Sequence, residues 1–218
     1  MSFYTKYTKR FFDITLCSFA IIVLSPLFLI TAIAIKISSP GPVFYHSVRA
    51  GKNKVPFKFY KFRSMHVVDE KHKQKDMYTA DENRLFAVGR IIRRLKIDEL
   101  PQLINVIAGD MSIVGPRPMP MSSVDVQYCG KYEKILSVKP GLTSAASLYD
   151  YTIGDAYTSE EEYRNTVVKN KFELELLYLN LQCFSYDVKL VLRTIKIILM
   201  VLLRCDKLPE QPELSEIQ

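Results

Sequence analysis

The stretch from Ile14 to Ile35, ITLCSFAIIVLSPLFLITAIAI, runs for about 22 residues without a charge, long enough to cross a bilayer. Lys6, Lys9 and Arg10 precede it and Lys36 follows it. The run is too long for the apolar part of a secretory signal peptide, and no small-x-small cleavage site follows it. It therefore reads as a membrane segment. Ser25-Pro26 stands at its middle. Proline there removes one backbone hydrogen bond and clashes with the preceding turn, so the helix kinks or breaks. The serine hydroxyl can take a backbone group set free. Each half is about 11 residues, roughly 16 Å of helix and about half the hydrocarbon thickness. Two halves that turn back at Ser25-Pro26 dip into one leaflet and leave on the same side. Positive charge on both flanks suits that path, because Lys and Arg mark the cytoplasmic face. A kinked spanning helix fits the same residues.

Outward from this segment, the 218 residues are 48% hydrophobic and 24% charged, which suits one domain with a true core and excludes disorder and fibrous repeats. The formal net charge of +7 favours polyanionic partners: nucleic acid, anionic headgroups or phosphorylated substrates. A second apolar run, Val188 to Arg204, carries Lys189, Arg193 and Lys196 at i, i+4 and i+7. One basic stripe on an apolar helix marks a helix lying in the headgroup plane, cations toward lipid phosphates. A core helix with snorkelling cations is the alternative. The tail, DKLPEQPELSEIQ, has four acidic residues and one lysine, leaves +10 on residues 1–205, and reads as mobile. Cys17, Cys129, Cys183 and Cys205 form no CxxC pair and fit neither a disulfide framework nor zinc. His46, His66 and His72 lack metal-site spacing and read as surface residues.

Between the apolar runs, Ser39-Pro40-Gly41-Pro42 is a turn. Val43–Arg49 and Val55–Phe62 predict a β-hairpin around Gly51-Lys52-Asn53-Lys54. Lys58, Lys61 and Arg63 interleave with Phe57, Phe59, Tyr60 and Phe62. Such interleaving can serve single-stranded nucleic acid, but beside a membrane segment it reads as an interfacial hairpin, aromatics at the lipid boundary and cations on phosphates. Thr79-Ala80-Asp81-Glu82 is a capping box predicting a helix toward Lys96, ending in Arg90, Arg93, Arg94 and Lys96. Leu100, Leu103, Ile104 and Ile107 have helical spacing, with Gly109 as C-cap and Asp98 where an N-cap belongs.

Alone, Asp98 is an N-cap. Beside Glu99, just after a basic run, it also reads as chemistry. A carboxylate there stays ionised next to phosphate oxygens, and Glu99 can hold a hard cation such as Mg²⁺. Attack of a carboxylate on phosphorus is the aspartyl-phosphate type of covalent catalysis. Pro116-Arg117-Pro118 follows, an arginine between two prolines whose restricted backbone presents a rigid, bidentate phosphate ligand.

SPGPVFY at 39–45, KFYKFRSM at 58–65, LKIDELPQLINVIAGDMSIVGPRP at 95–118 and VKPGLTS at 138–144 together resemble the bacterial polyprenyl-phosphate phosphoglycosyl transferases, sugar transferases that begin lipid-linked glycan assembly. The likeness runs from about residue 6 to about 204. With no multi-span region ahead of it, the chain looks like the small monotopic type, whose membrane helix is a re-entrant hairpin broken at Ser-Pro. The resemblance implies transfer of a sugar-1-phosphate from a UDP-sugar to undecaprenyl phosphate with release of UMP. In it Asp98 attacks the donor β-phosphate, Glu99 holds Mg²⁺, Arg117 binds donor phosphate or uridine, and Lys61, Arg63 and Arg93 steady the diphosphate or the lipid phosphate. It implies inner-membrane lipids and downstream glycosyltransferases as partners, no nucleic acid, and a place on the cytoplasmic face of the inner membrane. LTSAASLYDYTIGD at 142–155 departs from the family's usual stretch, leaving Tyr149, Asp150 and Tyr151 as local candidates for sugar contacts. Tyr178 and Asp187 match the family's spacing, and Glu175 stands where an aspartate is usual. The expected fold is α+β and mostly helical: a membrane helix-break-helix over 1–38, a catalytic domain with interfacial helices and a small hairpin over 39–204, and an acidic tail over 205–218.

Overall fold

The computed structural model describes residues 4–67, 84–153, 161, 163–203, 205, 208–209 and 211–217. The capping box at 79–82 and His72 lie outside them. The fold is mostly helical with two small sheets. Helix α1 (Lys9–Ser38) leads into strands β1 (Phe44–Ala50) and β2 (Pro56–Phe62), antiparallel with Phe44 opposite Phe62 and Ala50 opposite Pro56. Helices α2 (Ala87–Arg94) and α3 (Gln102–Ala108) follow, separated by a 3₁₀ turn at Ile97–Glu99. Strand β3 (Ser112–Val114), helix α4 (Met121–Gln127), strand β4 (Gly141–Thr143) and helices α5 (Ala145–Ile153), α6 (Lys169–Leu181) and α7 (Phe184–Leu202) complete the order.

Sequence predicts two helices separated by a break at Ser25-Pro26; α1 is instead one hydrogen-bonded helix through that point. Pro26 cannot donate to Ile22 O, its partner in an α-helix, and the Ser25 hydroxyl donates to that carbonyl at 2.8 Å instead. One face of α1 packs on the domain along its length. Asp13, Cys17, Thr31 and Ile35 are buried, and Ala20, Leu24 and Phe28 fill the positions between. The opposite face leaves Phe19, Ile22, Ile30 and Ile37 more than half exposed. Burying one such side chain is worth roughly 1.5–3 kcal/mol, so this face is costly in water.

The hairpin forms as predicted, but Phe57, Phe59 and Phe62 are in the protein core, correcting the lipid-boundary reading for them, while Phe44 and Tyr45 are exposed. Phe57 and Phe59 pack with Cys17, Leu103, Val106 and Met111. Phe62, on the other face of β2, packs with Ile35, Phe86 and Ile92. The cause is that α1 and α3 cover the strand. Asn105 of α3 completes the cover by behaving like a strand neighbour: its amide donates to Lys58 O at 2.6 Å and accepts from Tyr60 N–H at 3.1 Å.

Helix α2 begins at Ala87, later than the capping box predicts, because Leu85 bridges Met65 and His66 N–H donates to Arg84 O. The parallel pair β3–β4 has no counterpart in the sequence reading. Its register sets Ser112 against Gly141 and Val114 against Thr143. A Cβ at Gly115 would lie 2.5 Å from Lys139 O, and one at Gly141 2.1 Å from Gly115 N, so only glycines allow this approach. The pairing zips the GPRP segment to the KPGLT segment.

The described part of the tail is docked rather than loose. Glu213 is buried against Arg193, with Nη1 2.6 and 2.9 Å from its carboxylate oxygens, and the Tyr186 hydroxyl donates to it. Leu208, Leu214 and Ile217 pack on the core cluster around Leu174 and Leu190. Arg193 therefore faces a carboxylate of its own chain, whereas Lys189 and Lys196 are exposed. His46 and His66 are exposed, and the four cysteines are free.

Candidate active site

Asp98 is not an N-cap. Lys96 adopts a left-handed conformation, φ 55°, which turns the chain from α2 into the 3₁₀ turn. From there short i to i−3 bonds run on: Glu99 N–H to Lys96 O, Leu100 N–H to Ile97 O, Leu103 N–H to Leu100 O and Ile104 N–H to Pro101 O. These carbonyls occupy donors at the start of α3 that a capping side chain would otherwise serve. Gly109, φ 97°, caps the other end of α3 as predicted. Arg10 of α1 donates to the last carbonyls there, reaching Ile107 O at 2.7 Å, and Asp13 accepts from Ile113 N–H at 3.0 Å. Helix α1 thus holds the chain on either side of the turn between α3 and β3, which links the Asp98 segment to Arg117.

Glu99 is the hub. Lys61 Nζ lies 2.8 Å and Arg117 Nη2 2.9 Å from the same oxygen, Oε1. Burial alone would raise the Glu99 pKa, but Lys61, Arg117 and Lys96 hold it well below the usual carboxylate range. In return the Glu99 charge holds Arg117 cationic against its burial. Asp98 is the opposite case. It is 5% exposed and its Oδ1 has no hydrogen-bond partner among the described residues. Burial raises its pKa to about 6; Lys61, Lys96 and Arg93 pull it down, and the Glu99 charge adds to the rise. A buried carboxylate oxygen left without a donor, among fixed cations, is poised for an incoming group.

Arg117 is held from behind by a residue whose role the sequence left open. Glu175, buried in α6, accepts from Arg117 N–H at 2.9 Å, and the Tyr128 hydroxyl lies 3.2 Å from its other oxygen. Burial raises Glu175 to about 7, against the lowering pull of these hydrogen bonds, Lys171 and Arg117. Lys96, seen before only as the end of a basic run, sits 5.0 Å above the Tyr151 ring. Burial lowers its pKa, offset in part by Glu99. Asp150 is kept below its ordinary range despite burial, by Lys171, Tyr163 and Arg117. The Tyr149 hydroxyl accepts from Asn170 at 2.9 Å.

Of the predicted site residues, the structure brings Lys61, Asp98, Glu99 and Arg117 together, with Arg93 acting on Asp98 through its charge. Arg63 is elsewhere engaged. Its Nη atoms bond Ser39 Oγ, Ser39 O and Pro40 O, so it fastens the end of α1 rather than reaching Glu99. Asp187 is a structural bracket: it accepts from the Tyr4 hydroxyl at 2.6 Å, from the Tyr178 hydroxyl at 3.0 Å and from Lys9. Among the described residues no three His, Cys, Asp or Glu side chains converge as a metal cage. Magnesium commonly takes one or two carboxylates and completes its shell with waters and substrate phosphates. Glu99, whose bonds to Lys61 and Arg117 both use Oε1, fits that mode through its other oxygen.

Comparison with known proteins accords with this arrangement. The family described as bacterial sugar transferase matches residues 4–201. The uncharacterized sugar transferase EpsL of Bacillus subtilis (strain 168) is 37% identical over 193 residues, 88% of this chain and 87% of that one. The UDP-glucose:undecaprenyl-phosphate glucose-1-phosphate transferase of Escherichia coli (strain K12) is 37% identical over 190 residues, 86% of this chain but 39% of the relative. The UDP-N-acetylgalactosamine-undecaprenyl-phosphate N-acetylgalactosaminephosphotransferase of Aeromonas hydrophila is 38% identical over 198 residues, 88% of this chain and 44% of the relative. This chain thus spans less than half the length of the latter two. With the carboxylate pair, the arginine between prolines and an extended match of this kind, the chain belongs to the bacterial sugar transferase family, the polyprenyl-phosphate phosphoglycosyl transferases.

Proposed function

We propose that this protein transfers a sugar-1-phosphate from a UDP-sugar to undecaprenyl phosphate, releasing UMP, at the first membrane step of glycoconjugate synthesis. The observation that carries the reading is the unpartnered, buried Asp98 oxygen beside the Lys61–Glu99–Arg117 cluster. The activities for which those relatives are named supply the substrate classes. An Asp98 carboxylate oxygen attacks the β-phosphorus of the donor, and the bond from that phosphorus to the bridging oxygen breaks. UMP leaves with the electron pair, and the sugar phosphate stays on Asp98 as an acyl phosphate. An oxygen of undecaprenyl phosphate then attacks the same phosphorus and Asp98 leaves as carboxylate. Lys61, Lys96 and Arg117 neutralise the phosphate charge, the larger part of phosphoryl-transfer catalysis. Glu99 keeps Arg117 and Lys61 aimed, and Glu175 fixes the backbone that carries Arg117. Glu99 would hold Mg²⁺ together with the diphosphate, where the ion would supply charge neutralisation at the phosphates.

The membrane reading rests on both ends of α1. Arg10 and Asp13 at one end and Ile35 and Ser39 at the other are held by the same domain. A helix held by one domain at both ends does not place them on opposite faces of a bilayer, which supports a path for α1 confined to one leaflet, entered and left on the same side. Helix α7 extends the same lipid-facing surface. Phe184 packs on Phe12 of α1 in a tilted pair, ring centroids 4.9 Å apart, and Val188, Leu192, Ile195 and Leu199 continue an exposed apolar stripe.

The test is UMP release in nanodiscs with Mg²⁺, undecaprenyl phosphate and a panel of UDP-sugars, for wild type and Asp98→Asn. Release that depends on the lipid phosphate and is lost in the variant is the expected result. A folded, membrane-bound wild type that releases none with every donor overturns the reading.

A further inference from the structure

Beside the carboxylates lies a groove of about 230 Å³ between α3, β4, α5 and α7. One end is charged, with Lys96, Glu99 and Arg117. The rest is largely aliphatic, including Leu100, Leu142, Val191, Ile195 and Ile198. The hydroxyls on its wall are already engaged. Thr143 and Thr194 hydroxyls are 2.7 Å apart, Thr194 donates to Leu190 O, and Ser147 Oγ is 3.1 Å from Ser144 Oγ. A sugar or a nucleobase needs convergent polar groups that fix its orientation, and this wall offers few. Hydrocarbon needs none.

Two further features point to the same occupant. Ile195 belongs both to the groove wall and to the exposed apolar stripe of α7, where it is 50% exposed, so the groove opens onto the surface assigned to lipid. Its volume is below the roughly 300–1,000 Å³ that encloses a drug-sized ligand, so it takes the start of a long chain and leaves the remainder in the bilayer. We propose that the groove receives the first isoprene units of the prenyl phosphate acceptor, with its phosphate between Lys96 and Arg117. The inference rests on the transferase reading above and assigns the acceptor, rather than the donor, to the α7 side of the site.

Photolabelling tests occupancy without relying on turnover. The probe is a prenyl phosphate with a diazirine in the isoprene next to the phosphate, bound to the full chain in nanodiscs, with adducts mapped by mass spectrometry. Adducts at Ile113, Leu142 or Ile198 that excess undecaprenyl phosphate removes and phosphatidylglycerol does not are the expected result. Adducts confined to α1, or removed equally by phosphatidylglycerol, overturn it. In the activity arm, Ile195→Trp raises the acceptor KM about tenfold, on the scale of a filled apolar subsite, and leaves the donor KM in place. Leu199→Trp, on the same stripe but outside the groove, changes neither. A rise in donor KM alone, or no change in either constant for Ile195→Trp, overturns the proposal. A wild type inactive with every donor counts against the transferase reading, and the labelling pattern still decides what the groove holds.

Discussion

Asp187 and Asp98 are buried to the same degree, 6% and 5% exposed, and both stand among cations. Their surroundings differ in saturation. Around Asp187, two tyrosine hydroxyls and Lys9 fill the carboxylate from the N-terminal segment and from α6, tying α1 to α7. The Tyr178 hydroxyl is also 3.2 Å from Val114 O, so the bracket reaches the strand that leads to Arg117. Around Asp98, Oδ1 has no donor among the described residues, while its neighbour Glu99 holds Lys61 and Arg117 in place. A saturated carboxylate holds structure, and an unsaturated one beside oriented cations is available for chemistry.

The comparison breaks most sharply in mutants. Asp98→Asn is expected to reduce turnover by roughly 10³-fold or more, the scale for loss of a nucleophile, with no loss in thermal stability, since it removes a buried charge whose Oδ1 has no donor among the described residues. Asp187→Ala is expected to do the reverse. Removing one member of a buried ion pair costs about 3–5 kcal/mol, so its thermal midpoint in detergent falls well below that of wild type. Equal stability losses in the two variants would erase the distinction.

Glu175→Ala is expected to lower kcat/KM for the donor by about tenfold to a hundredfold, because the Arg117 backbone loses its acceptor. Glu175→Gln, which keeps an acceptor oxygen, should recover most of it, and steady-state kinetics on the two variants separate positioning from charge. The acid limb of the pH profile follows from Asp98. Its pKa is raised to about 6 by burial, and attack requires the carboxylate, so kcat/KM for the donor is level above pH 6 and falls about tenfold per unit below it. A limb near 4 would indicate an Asp98 that is not buried in the working enzyme. The smallest effect belongs to the tail. Glu213→Ala frees Arg193 for headgroup phosphates and should raise co-sedimentation with anionic vesicles a few-fold, with unchanged binding to neutral ones.

Local patterns made some of this legible in advance. The uncharged Ile14–Ile35 run, the alternation around Gly51-Asn53 and the glycine at 109 each act within a few residues, and α1, the β1–β2 hairpin and the α3 C-cap follow from them. The site's main members, Lys61, Asp98, Glu99 and Arg117, were legible as residue types in sequence clusters. Features set by distant partners were not. Strands β3 and β4 have three residues each and depend on glycines 26 positions apart meeting back to back. Arg63 belongs to the same basic cluster as Lys61, and nothing local shows that Ser39 and Pro40 claim it. The hairpin aromatics looked like a lipid boundary because their cover, α1 and Asn105 of α3, comes from other parts of the chain. The left-handed Lys96, which moves Asp98 out of an N-cap and into a buried turn, has no glycine or asparagine to announce it.

The most direct measurement is the intact mass of the purified protein after single-turnover mixing with its UDP-sugar and Mg²⁺, with the lipid acceptor left out. Attack by Asp98 predicts a mass increase of one sugar phosphate, one equivalent of UMP, loss of the adduct when undecaprenyl phosphate is added, and no adduct in Asp98→Asn. Full turnover with both substrates but no adduct at any time with donor alone would contradict it, and would mean that the sugar phosphate passes directly between the two substrates.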